Sequence, residues 1–286
     1  MSRANKIETF CDHAAHGRLA HVQRMFKSLK LPVNGQRNDA LERAAENGHV
    51  DVVDFLLRNT LVDQSGVGYL AIRGAARNGH LAVVERLLQD SRIDPSFDTI
   101  RLAAQNGHLA VVERLLQDEC VDPSDCDDLA VLCAAENGHL AVVVRLLLDE
   151  RVDPSARDND AVRAAAENGH VAVVDRLLED DRVDPSADDN CAVRLAAENG
   201  HFAVVDRLLE DDRVDAAVAI RSSRPEDRKR FECRERLTEI CIALQAMQLP
   251  AWVTVQILDA ARPWSTLPLH SKWNLVCAVK HYHDNE

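Results

Sequence analysis

Six histidines recur at equivalent places in this chain, His49, His80, His108, His139, His170 and His201, each preceded by Asn-Gly. Imidazole binds metals and moves protons near neutral pH, so a histidine column is the first place to look for chemistry. The spacing argues against a metal. Stacked helices stand about 8–10 Å apart, whereas zinc ligands converge at about 2 Å from one ion, so one histidine per layer does not chelate. These rings are expected to brace the turns in which they sit. Cys277 and His281 lie one helical turn apart with His283 beyond them, but no second ligand group is nearby, and an amphipathic helix end is the expectation. The sequence contains no G-x-x-x-x-G-K-[ST] loop, H-E-x-x-H helix or G-x-S-x-G elbow. No enzyme activity, cofactor or metal is therefore expected.

The elements behind the histidines follow from their spacing. Asn-Gly-His occurs at 47–49, 78–80, 106–108, 137–139, 168–170 and 199–201, so the period is 31 residues with one 28-residue step. A fixed period near thirty signals a solenoid, in which each unit buries its apolar face only by stacking on its neighbours. Gly17, 31 residues before Gly48, marks a degenerate first unit, giving seven. Within residues 160–186, Asp160 is suited to cap a first helix, Ala-rich 161–167 propagates it, and Gly169 ends it. Val173, Val174, Leu177 and Leu178 then form the apolar stripe of a second helix. Val-Asp-Pro-Ser follows at 183–186, as at 121–124 and 152–155, with Ile-Asp-Pro-Ser at 93–96. Proline disfavours helix in the residue before it and lacks an N–H, so an extended loop, a finger, is expected there.

The unit resembles the ankyrin repeat, T-P-L-H-L-A-A-x-N-G-H-x-x-V-V-x-x-L-L. Residues 98–108, Asp-Thr-Ile-Arg-Leu-Ala-Ala-Gln-Asn-Gly-His, align to it without a gap and are followed by Val111, Val112, Leu115 and Leu116. The resemblance implies an all-α ankyrin-repeat solenoid of helix-turn-helix units with extended loop fingers, acting as a non-enzymatic protein-binding scaffold through loop tips and first-helix faces. Two departures stand out. The Thr-Pro corner becomes Asp-Ala, Asp-Thr or an apolar-Ala pair. The family histidine of the first helix, which ties adjacent loops together in ankyrin arrays, becomes Arg73, Arg101, Arg163 and Arg194, with Glu42 and Leu132 as exceptions. These arginines are expected to pair with Asp side chains of the neighbouring finger, or to meet an anion or acidic peptide. Asp125, Asp127, Asp128, Asp158, Asp188 and Asp189 form an acidic finger rim that is either solvated or in contact with a partner, since recognition tends to sit on loops held by a rigid scaffold. Phe97, Cys126, Arg157 and Ala187 would diversify that surface.

Composition sets the remaining bounds. A net charge of −13 lacks the clustered Lys and Arg of a nucleic-acid footprint and favours a basic protein partner. Eight cysteines share no repeat position and form no C-x-x-C pair, so free thiols in a reducing compartment are expected. The N-terminal residues lack an apolar leader core and no apolar run reaches membrane length, so a soluble protein inside the cell, in the cytoplasm or the nucleus, is expected, and it is expected to be a monomer.

After residue 220 the repeat pattern stops, dividing the chain into an array (1–220) and a C-terminal helical segment (221–286). Charged residues 221–230 are followed by Leu237, Ile240, Cys241 and Leu244 at helical spacing. Leu249, Pro250, Trp252, Val253, Ile257 and Leu258 are similar in spacing to the start of an F-box, including F-box-like tails that follow ankyrin arrays in poxvirus proteins. That resemblance implies docking of a Skp1-like adaptor, with the array choosing a substrate for a ubiquitin ligase. Trp252 stands where that family usually has an acidic residue. The other reading is a divergent cap over the open end of the solenoid.

Overall fold

The computed structural model describes residues 3–29, 36–59, 67–95 and 97–222. Seven helix pairs run in order: α1 (Arg3–Ala15) with α2 (Leu19–Leu29), α3 (Gln36–Glu46) with α4 (Val50–Asn59), and α5 (Val67–Arg77) with α6 (Leu81–Leu88). They continue as α7 (Phe97–Gln105) with α8 (Leu109–Leu115), α9 (Asp125–Glu136) with α10 (Leu140–Leu146), α11 (Ala156–Glu167) with α12 (Val171–Leu178), and α13 (Ala187–Asn199) with α14 (Phe202–Leu208). First helices stack on first helices and second on second, which gives two helical layers. Among the described residues there is no strand, and no helix is long and apolar enough to cross a membrane.

The sequence makes thin layers because small residues sit where helices meet. Ala pairs such as 134–135, 165–166 and 196–197 in the first helices are fully buried, and alanine combines high helix propensity with the closest backbone approach. Opposite them, the Val-Val-x-x-Leu stripe of each second helix is buried, as in Val142, Val143 and Leu146. Each such side chain contributes about 1.5–3 kcal/mol on burial.

The repeated Asn-Gly-His joins neighbouring units, an arrangement wider than the bracing of a single turn expected from sequence. His139 Nε2 lies 3.0 Å from the Gln105 carbonyl, and His170 Nε2 lies 3.0 Å from that of Glu136. His49, His80 and His108 reach Ala15, Glu46 and Arg77 in the same way. A carbonyl only accepts, so Nε2 carries the proton and donates it to a C-terminal carbonyl of the preceding first helix, a group the helix leaves without an internal partner. The Asn amide donates to the carbonyl one turn earlier, for example Asn137 to Cys133 at 2.8 Å. Gly138 adopts φ +74, and a Cβ there would stand 2.6 Å from His170 Nδ1. Glycine is thus required by its own backbone and by the neighbour's imidazole.

Met1–Val214 forms one compact unit and Asp215–Glu286 another. Within the second, α15 (Ala216–Ser222) is described, and Asp215 accepts the Ala217 N–H at 2.8 Å to cap it.

Candidate interaction surface

Each finger starts from Asp-Pro-Ser. Pro123, Pro154 and Pro185 are buried, which anchors the finger base. Asp153 Oδ1 accepts both the Ser155 N–H at 3.0 Å and its hydroxyl at 2.7 Å, and Asp122 with Ser124 and Asp184 with Ser186 repeat the motif. Such Asx turns explain the Asp and Ser. The Ser bonds hold the Asp122 and Asp184 carboxyls below the ordinary carboxylate range.

Beyond the serine the chain departs from the expected extended loop. Within the opening turn of α9, α11 and α13 the path is kinked, and three consecutive non-glycine residues turn left-handed before the regular helix begins: Cys126, Asp127 and Asp128 at φ 57, 56 and 60, Arg157, Asp158 and Asn159 at 55, 55 and 65, and Asp188, Asp189 and Asn190 at 51, 53 and 62. Left-handed helical geometry costs an L-residue roughly 1–2 kcal/mol, less for Asn and Asp, whose side chains bond locally. The third N–H closes the turn on the serine carbonyl, at 3.1 Å for Asp128, 3.0 Å for Asn159 and 2.9 Å for Asn190. A second tie crosses to the next finger: Asp128 Oδ1 accepts the Asp153 N–H at 2.9 Å, and Asn159 Oδ1 accepts that of Asp184 at 2.7 Å. The 28-residue step is explained here, because between Ser96 and Asp98 the chain has one residue where the longer units have four before their corresponding Leu129, Asp160 and Cys191.

This geometry sorts the acidic rim. Asp125, Asp127, Asp158, Asp188 and Asp189 are exposed, as are Cys126 and Arg157. Asp128 differs from these: at 7% exposure it is buried and accepts the Asp153 N–H. Burial pushes its carboxyl above the usual range, against the opposing pull of the Asp153 N–H. Arg157 Nη2 donates to the Cys126 carbonyl at 2.9 Å, a further link between fingers. Phe97 opens α7, and its side chain lies outside the described residues.

The first-helix arginines are half-buried and paired. Arg73 reaches across to Asp98 of the next unit at 2.6 Å and stacks over Tyr69, 4.8 Å from the ring centroid. Arg163 binds Asp160 in its own helix and lies 3.8 Å from Asp188 of the next finger. Arg101 instead pairs within its own unit with Asp98 at 2.6 Å, and Arg194 with Glu198 at 3.5 Å and Cys191 Sγ at 2.9 Å. Of the four, only Arg163 approaches an Asp of the neighbouring finger; Arg73 crosses instead to Asp98 in the next first helix, and Arg101 and Arg194 pair with carboxylates of their own helices. The column braces the surface more than it offers guanidinium groups to an anion.

A second arginine ladder escaped the sequence reading. Arg151 grips Asp149 through Nε at 2.9 Å and Nη2 at 2.8 Å, while Nη1 donates to the Val121 carbonyl of the preceding unit at 3.2 Å. Arg182 with Asp180 reaches Val152, Arg213 with Asp211 reaches Val183, and Arg92 with Asp90 reaches Leu57. The signal was Asp-x-Arg before Val/Ile-Asp, which Cys120 interrupts. The arginine bonds hold Asp90, Asp149, Asp180 and Asp211 below their ordinary pKa.

A family model described as ankyrin repeats, in three copies, matches residues 100–189 and again 132–220. Residues 100–220 carry ankyrin repeats. Ankyrin repeats generally serve as protein-interaction modules, and the helix pairs before residue 100 share the turn geometry of the matched region of the array. No curated protein matches the chain. Leu249, Pro250, Trp252, Val253, Ile257 and Leu258 lie outside the described residues, as do Cys277, His281 and His283.

Proposed function

We propose that the ankyrin array is a non-enzymatic scaffold that grips a basic protein partner with its finger tips and adjoining first-helix faces. The observation that carries this reading is the set of left-handed tips. Three fingers hold one backbone shape through the same N–H bond to the serine carbonyl, yet present different exposed pairs: Cys126 and Asp127, Arg157 and Asp158, Asp188 and Asp189. Strained backbone held by its surroundings tends to mark functional loops, and a rigid surface loses little entropy on association. The exposed carboxylates give the tips a sign that suits Lys or Arg on the partner.

The experiment is affinity capture with the intact chain, beside a variant carrying Asp127→Asn, Asp158→Asn, Asp188→Asn and Asp189→Asn. Asparagine tolerates the left-handed region, so the variant changes charge and keeps shape. The partner held by the native chain is expected to be lost from the variant and to be released by salt. Equal capture by both chains would reject the tips as the contact.

A further inference from the structure

The second-helix layer holds one departure that the finger surface does not use. In α10, Leu140, Val144 and Leu148 follow at i, i+4 and i+8, continuing into the turn after the helix. Leu148 is 69% exposed and Leu140 37%, and Val144 is half-buried. The neighbouring units place Glu113 and Asp175 where α10 has Val144, and Gln117 and Glu179 where it has Leu148. The fold therefore does not need apolar side chains at these two positions. They lengthen the apolar Leu140 position into a stripe about 12 Å long, two helical turns.

The surroundings of the stripe are acidic. α10 packs between α8 and α12. The equivalent turns of the three units carry exposed Glu119, Glu150, Glu179 and Asp181 beside exposed Leu148. Arg151 and Arg182 in these turns are engaged by Asp149 and Asp180, and Arg176 of α12 by Glu179 at 3.5 Å, so the acidic rim beside Leu148 rests on Glu119, Glu150 and Asp181. A second copy of the chain would bring one acidic rim against another, and like charges set directly opposite each other disfavour that contact.

We infer that the outer face of α10 is a second docking surface, separate from the fingers, that takes a basic amphipathic helix. The partner's apolar residues, one turn apart, lie along Leu140, Val144 and Leu148, and its flanking Lys or Arg side chains meet the acidic rim.

The test uses the intact chain and a fluorescein-labelled Leu/Lys amphipathic helix about five turns long, roughly 18 residues, followed by fluorescence anisotropy. The variant Val144→Asp with Leu148→Glu gives α10 residues that α12 already carries at the same places, and its helix content and Tm serve as controls. It adds two negative charges, so attraction by charge alone would tighten binding of the probe. Docking on the stripe weakens it instead, by about tenfold or more, since each buried apolar side chain is worth about a factor of ten. Unchanged or tighter binding, or no binding of the probe to the native chain, overturns the proposal. Self-association of the native chain that the variant abolishes would overturn it in favour of a second copy.

Discussion

Replacing Asn159 with Ala probes the finger geometry at its most loaded point. Asn159 sits at φ 65, and its Oδ1 accepts the Asp184 N–H at 2.7 Å, just before Pro185, which has no N–H to offer. Alanine removes the acceptor, and a partly buried orphaned N–H costs about 1–3 kcal/mol. It also loses the side chain that makes the left-handed region tolerable, at roughly 1 kcal/mol more. The expected loss is about 2–4 kcal/mol. Asn159→Gly should recover only the backbone part, because glycine is at ease at positive φ but cannot accept the bond. Asn159→Asp, the residue that Asp128 already places in the preceding finger, should stay near the native chain. The assay is urea unfolding followed by helix dichroism, with hydrogen exchange of the Asp184 amide as the local reading. A loss of about 2–3 kcal/mol in local opening corresponds to exchange about 30- to 150-fold faster. An Ala variant with native exchange at Asp184, or a Gly variant as stable as the native chain, would refute the argument.

The remaining expectations follow from the same contacts. Cys120→Arg should stabilise the array by about 0.5–1 kcal/mol in urea unfolding, because Asp118 already accepts the Cys120 N–H at 3.2 Å as Asp149 does that of Arg151, and only the guanidinium is missing. Gly138→Ala should cost clearly more than Gly200→Ala in the same assay: both glycines have positive φ, but an added Cβ meets His170 at the first and no atom within 4 Å at the second. Thr99→Val should raise the free energy of unfolding by about 1 kcal/mol, since the Thr99 hydroxyl is fully buried without a hydrogen-bond partner. The arginine-bound Asp90, Asp149, Asp180 and Asp211 have lowered folded pKa values, so their contribution is present above the ordinary carboxylate pKa of about 3.9 and is lost as pH falls through the lower folded values. Unfolding midpoints should therefore fall below about pH 4, and Arg182→Gln, which leaves Asp180 without its guanidinium, should flatten that fall.

The helix pairs and their buried stripes were legible because a period of 31 with Asn-Gly-His punctuation has few structural solutions. The finger was not. Asp127 and Asp128 look alike in sequence, yet one is exposed and the other buried, because a left-handed turn decides which carboxylate faces the next finger. The 28-residue step was visible, but its meaning, a unit three residues shorter where the others turn left-handed, depends on backbone angles that composition does not encode. Histidine was placed correctly at the turn, while its acceptor belongs to the unit before it, a contact 34 residues away for His139. The Asp-x-Arg clamp reads as a solvated charge pair until the donor to the preceding carbonyl is seen.

Thiol footprinting of the finger tips in a partner complex tests the central claim most directly. Cys126 is exposed at one tip, and Arg157→Cys and Asp188→Cys would place a thiol at the same position on the next two. If the fingers hold the partner, alkylation of these thiols should slow by about tenfold or more in the saturated complex. Alkylation at the free rate on all three tips, with the partner still bound, would contradict it.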